Sequence, residues 1–126
     1  MFSHMMVGSN DIERSRRFYD ALFGAIGGRP GRIDDKGRLI YAHAGSLFLV
    51  TPPIDGAAAT HANGGTIGFA TSSVEQTHAW HNAGVAAGGK AIEDPPGERS
   101  NAFGKLYLAY LRDPDGNKLC ALHRPQ

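Results

Sequence analysis

The chain has 126 residues, enough for one domain with a substantial core. Thirteen basic against twelve acidic residues leave a formal charge of +1, which gives no electrostatic reason to expect a nucleic-acid or membrane partner. The single cysteine, Cys120, excludes an internal disulfide and fits a reducing compartment. With no membrane-length apolar run and no signal-like start, a cytoplasmic protein is expected.

In chain order, residues 2–8 (FSHMMVG) read as a short strand with Phe2, His4 and Met6 on one face. Asn10 is expected to cap the next helix, with Glu13 closing a capping box. Ile12, Ser15, Tyr19, Leu22 and Phe23 form its buried stripe, which ends near Gly24, and Arg14, Arg16 and Arg17 fall on the solvated side. Gly27, Gly28, Pro30 and Gly31 break up the following segment into an irregular strand. Residues 39–43 and 46–51 read as strands around Ala44-Gly45, and the small, polar, turn-rich residues 53–64 as a linker.

The pattern then begins again. A shift of 62 positions (66 − 4) sets GTIGFATSSVEQTHAWHNAG on SHMMVGSNDIERSRRFYDAL. Asn10 meets Ser72, Ile12 meets Val74, Glu13 meets Glu75 and Phe18 meets Trp80, so Ser72 and Glu75 are expected to cap the second helix as Asn10 and Glu13 cap the first. Gly88-Gly89 repeats the glycine break. The reading is one α+β domain of two βαβββ modules, residues 1–52 and 65–124. Its last two strands turn around Asp113-Pro114-Asp115-Gly116-Asn117, a sequence that supplies the capped, φ-fixed and positive-φ positions of a tight reversal. Alternation puts Tyr110 and Arg112 on one face before the turn, and Cys120 and Leu122 on one face after it.

With His4 seven residues before Asp11 at the first helix, and LRDPDGNKLCAL at the end, the chain resembles the vicinal oxygen chelate superfamily of glyoxalases, extradiol dioxygenases, fosfomycin-resistance enzymes and bleomycin-binding proteins. The resemblance implies sheets curled into an open barrel around a cleft, and a homodimer. It also implies four metal-ligand slots, which this chain fills with His4, Leu49, Thr66 and Cys120. Leu49 is no ligand and a neutral Thr66 hydroxyl is a poor one. His4 and Cys120 alone fall short of the three or so ligands a zinc, iron or manganese site needs, so no cofactor is expected and a divalent metal is disfavoured.

Candidate residues are weighed against their ordinary structural roles. His4 is a ligand, a general base or a satisfied strand histidine, and Cys120 a reactive thiol or a buried small hydrophobe. A Tyr at the position of Tyr110 contacts the substrate in the fosfomycin-resistance branch that the chain resembles; here Tyr110 is placed to donate to an anionic or carbonyl group, or to pack on the cleft floor. His43 is taken as its first-module counterpart. Arg99, in a lid-like loop over residues 93–104, and Arg112 are candidate substrate contacts. His78 and His81 lie three apart on the second helix, where core-edge packing outweighs metal binding. The expected function is a glyoxalase-like protein that accommodates a small polar or anionic molecule beside His4, His43, Tyr110 and Cys120. The alternatives are a metal-dependent lyase or dioxygenase and a stoichiometric sequestering protein.

Overall fold

The structure, a computed structural model, describes residues 1–102 and 104–125. The first module comprises β1 (His4–Gly8), α1 (Ile12–Gly24), β2 (Arg32–Ile33), β3 (Leu39–His43) and β4 (Ser46–Thr51). The second comprises β5 (Ile67–Ala70), α2 (Val74–Ala86), β6 (Lys90–Ala91), β7 (Gly97–Asn101), β8 (Gly104–Arg112) and β9 (Lys118–His123). Each builds one mixed sheet, β1-β4-β3-β2 and β5-β9-β8-β6 with β7 beside β8. In both, the opening strand pairs in parallel with the closing one. The architecture is the α+β fold of two curled sheets, which form no closed barrel among the described residues.

The two helices sit 62 positions apart (74 − 12), the expected offset. The repeat extends to a pair of buried hydroxyls that fixes the strand-to-helix turn. Ser9 Oγ lies 2.6 Å from Ser15 Oγ, and at the equivalent place Thr71 Oγ1 lies 2.7 Å from Thr77 Oγ1. Each pair joins two buried hydroxyls across the strand-to-helix turn, as buried polar groups require.

Both helix caps lie one residue later than expected. Asp11 accepts from Arg14 N and Ser73 accepts from Gln76 N. Asn10 is drawn away to the linker, where it accepts from Ala59 N (2.7 Å) and donates to Ala59 O (3.3 Å). The returning bond at α2 comes from Gln76, whose Oε1 accepts from Ser72 N, and not from Glu75. The lid-like loop is also corrected. Its Gly97–Asn101 stretch is β7, hydrogen-bonded to β8 with Glu98 opposite Tyr107 and Arg99 opposite Leu106; Phe103 lies outside the described residues.

One aromatic core joins the modules. Tyr19 and Phe23 of α1 meet Tyr41 and Phe48 of the first sheet, and Phe69 contacts Phe23, Phe48 and Trp80 at ring-centroid distances of 5.5 to 5.8 Å. Helix-facing side chains of both sheets thus enter the same interior, and their opposite faces turn away from it.

The Asp113–Asn117 turn staples the second module to the first. Asp113 accepts from Tyr19 Oη (2.6 Å) and from Asn117 Nδ2 (2.8 Å), and Asn117 Nδ2 also donates to Gly8 O. Asp115 accepts from Asn10 N and Ser15 Oγ and pairs with Arg14 at 2.7 Å. Arg14, expected to be solvated, therefore crosses between modules.

Candidate functional site

On the outward face of the second sheet the register sets Tyr110 opposite Cys120, Leu108 opposite Leu122 and Arg112 opposite Lys118. Leu106, Leu108 and Cys120 are buried there as a small cluster of their own, with Tyr110 and Leu122 packed on it. Burial pushes the Cys120 thiol up, and a hydrogen bond with the Tyr110 hydroxyl only partly opposes this. Burial also raises the Tyr110 phenol, followed by the influence of Cys120. Both groups are protonated at neutral pH; Cys120 donates its S–H to Ala121 O at 3.5 Å, so the pair presents a phenol beside a neutral thiol and not a thiolate nucleophile.

Charged groups surround this pair. Lys118 Nζ stands 5.0 Å from the Tyr110 ring centroid, a cation–π contact, and is ion-paired with Glu93. Glu93 adopts φ 59°, a left-handed conformation that a non-glycine residue holds at a cost. Lys118 and Glu93 did not stand out in the sequence. Hairpin alternation was enough to place Lys118 beside Tyr110, whereas nothing local encodes the Glu93 backbone.

The two candidate arginines are partly committed. Arg99 donates to the carbonyls of Asp94, Pro95 and Gly97, and Arg112 Nη1 donates to Gly116 O at 2.6 Å. Both brace backbone while remaining on the face that carries Tyr110 and Cys120.

On the first sheet, His4 lies opposite Leu47 and Leu49 opposite Met6. His4 is exposed, with Nδ1 2.7 Å from Ser3 Oγ. Its metal-slot companion Leu49 is 8% exposed. Leu49 faces Ile40 across the β3–β4 hairpin as Cys120 faces Tyr110 across β8–β9, so the first-module counterpart of Tyr110 is Ile40, not His43. His43 alternates to the helix side, 6.1 Å from the Phe23 ring. It lines a cavity of about 350 Å³ with His4, Phe23, Tyr41, Phe48 and Phe69, between the β1 and β5 edges. That cavity includes neither Tyr110 nor Cys120. The four expected cleft residues therefore form two pairs within one chain, His4 with His43 and Tyr110 with Cys120.

On α2, His78 Nε2 lies 2.6 Å from Tyr107 Oη, and burial lowers the His81 imidazole. Both are held by neighbours, as core-edge packing predicts.

A sequence profile of the glyoxalase, bleomycin resistance protein and dioxygenase superfamily matches residues 1–121. The chain belongs to that superfamily. A crystal structure of a glyoxalase/bleomycin resistance protein from Albidiferax ferrireducens T118 is 58% identical, covering 98% of this chain and 99% of that one with a TM-score of 0.95. More distant structures share the fold. They include a family enzyme from Burkholderia phytofirmans PsJN (18% identity, 96% of each chain, TM-score 0.73) and a lactoylglutathione lyase from Agrobacterium tumefaciens (16%, 98% of this chain and 92% of that one, 0.68). No curated protein matches the chain.

The superfamily's enzymes commonly hold a divalent metal, and the donor set here does not fit one. The slots offer one imidazole, one raised thiol, a neutral hydroxyl and a leucine. Among the described residues no three His, Cys, Asp or Glu side chains are grouped to hold an ion. Among the described residues, too, no helix is long and apolar enough to cross a membrane.

Proposed function

We propose that this superfamily member binds a small polar or anionic molecule on the outward face of its second sheet, without a resident metal. The observation that carries the reading is the Tyr110–Cys120 pair, a protonated phenol beside a neutral thiol on an apolar floor, ringed by Lys118, Glu93 and Arg99. A few placed polar groups on an apolar surface fit recognition of a ligand oxygen. Tyr110 donates to that oxygen, Cys120 sets the depth of the floor, and Arg99 and Arg112 supply positive potential from the rim.

A homodimer completes the site in this reading. Phe2, Met5, Met6 and Leu47 are exposed along the edge strand β1 and its neighbour β4, an apolar patch beside unpaired backbone groups that a second copy would cover. Cys120 has no intrachain disulfide partner, in keeping with a cytoplasmic setting.

Protein purified without chelator is expected to carry well under one zinc, manganese, nickel or iron per chain. It should elute as a dimer, and Met6→Glu should shift it to monomer. Small carboxylates should perturb the amide signals of Tyr110 and Cys120, and Tyr110→Phe should weaken that response. A stoichiometric ion whose loss abolishes the response would favour a metal-dependent lyase or dioxygenase instead. The aromatic cavity beside His4 and His43 supports a second reading, stoichiometric capture of an aromatic molecule. Saturable binding of such a molecule without turnover would favour it.

A further inference from the structure

The outward face of the first sheet carries a second, differently built groove. Its floor is Ile40, Ala42 and Leu47, its wall is Pro30, and Arg29 and Arg32 flank it; the cavity measures about 350 Å³. The register places Arg32 opposite Ile40, so its side chain rises on the same outward face as the apolar floor. Arg29 also borders the adjoining hollow of about 270 Å³ that runs over Ala42 to Leu47 at the β3–β4 turn.

The segment carrying both arginines is held rigidly. Gly31 N donates to Asp20 Oδ1 at 2.8 Å, and Tyr41 Oη donates to the same oxygen at 2.7 Å. Gly31 packs so tightly on Tyr41 and Leu39 that a Cβ there would lie 2.6 Å from the Tyr41 ring, so only glycine lets the chain pass. Asp20 is occupied by these donors and by Arg16, Asp34 is paired with Arg38, and among the described residues no carboxylate lines the groove.

The chain's other arginines show how unusual this pair is. Arg14, Arg16 and Arg38 are in ion pairs, and Arg99 and Arg112 donate to backbone carbonyls. Among the described residues the side chains of Arg29 and Arg32 have no ion-pair or hydrogen-bond partner, and both border one apolar hollow. Arg17 and Arg124 also lack partners, yet they border none of the three cavities described.

We infer that the Arg29–Arg32 groove is a binding subsite for a small organic oxyanion, a carboxylate or phosphate carried on an apolar body. The guanidinium forks take the oxyanion, and the apolar body lies on Ile40, Ala42 and Leu47. The groove is lined by residues of a single chain and is separate from the surface around Tyr110 and Cys120, so it does not depend on the function proposed for that surface, although Leu47 of its floor also belongs to the apolar patch assigned to the dimer contact.

The test is titration of the full-length, isotopically labelled protein with benzoate, phenyl phosphate and the uncharged benzyl alcohol, followed through backbone amide signals. The two anions should shift the signals of Arg29, Arg32, Ile40, Ala42 and Leu47. Benzyl alcohol should bind about tenfold more weakly, the loss expected on removing a charge-assisted hydrogen bond. A preference for one anion identifies whether carboxylate or phosphate is the better fit. Arg29→Gln/Arg32→Gln should abolish the anion preference, and Arg17→Gln/Arg124→Gln, with the same change in net charge, should retain it. All four arginines tested are surface positions, and a dispersed amide spectrum confirms that each variant is folded. The inference is overturned if these signals do not move with anion up to ~10 mM, well above a ~1 mM Kd. Equal response to benzyl alcohol or equal loss in both double variants also overturns it. Shifts confined to Tyr110 and Cys120 would sink the subsite while leaving the other proposal standing.

Discussion

Cys120 illustrates how environment overrides residue type. Its position three after Asn117 suggested either a ligand or a reactive thiol, but burial at 6% exposure raises the thiol above its ordinary range. Native protein at pH 7.5 should therefore react with a thiol-disulfide reagent at least ~10-fold more slowly than protein unfolded in urea, because only the thiolate attacks. Rapid labelling of the native state would show an activated cysteine. His81 makes a pH-dependent counterpart. Burial is the largest influence and lowers its folded pKa below the ordinary 6.5, with His78 adding to it and the Tyr110 backbone opposing it. Between the lowered value and 6.5 the unfolded chain binds more protons, so stability rises with pH across that window and levels off above it. His81→Gln should flatten this part of the stability profile, measured as urea midpoints from pH 5 to 7.5.

At the scale of elements, two helical glycines of similar appearance have opposite roles. Gly84 lies on α2 where it crosses α1, and an added Cβ would sit 2.6 Å from Leu111 Cδ2 and 3.1 Å from Leu22 Cδ1. Gly84→Ala should cost about 1–3 kcal/mol through overpacking, more than the ~1 kcal/mol gained in helix propensity. Gly24, the last residue of α1, has open space where a side-chain methyl would stand, with nothing within 4 Å, so Gly24→Ala should stabilise by about 0.5–1 kcal/mol. Thermal unfolding of both variants checks the sign. The caps teach a related lesson. Asn10 and Ser72 have capping chemistry, but so do their neighbours Asp11 and Ser73, and a cap is decided by which side chain the chain's path leaves free. Asn10 is occupied by the linker, through Ala59.

Across the whole molecule, the Asp113–Asn117 turn is a joint between modules. Asp115, whose side chain is 1% exposed, holds the start of α1 through Asn10 N, Arg14 and Ser15. Asp115→Ala should destabilise the protein by about 2–3 kcal/mol, since it removes the charge-assisted bond to Arg14 together with the acceptor for Asn10 N and Ser15 Oγ. The unfolding transition should remain single, because the aromatic core spans both sheets. Separate transitions for the two modules would contradict that core.

The sequence alone determined the duplicated order of elements, the offset of 62, the strands around Ala44-Gly45 and the hairpin that turns at Asp113–Asn117. These are local or periodic properties, since strand alternation, helix stripes and turn residues act over a few positions. It also showed that Leu49 and Thr66 are poor metal ligands, because ligand chemistry belongs to the residue itself. Only the tertiary structure decided that His4 and His43 share one cavity and Tyr110 and Cys120 another surface, that Ile40 matches Tyr110, and that Arg14 reaches Asp115. The same holds for Arg29 and Arg32, left without partners over an apolar floor. Such facts depend on which distant segments pack together and which acids are already paired, and no local pattern in the chain records them.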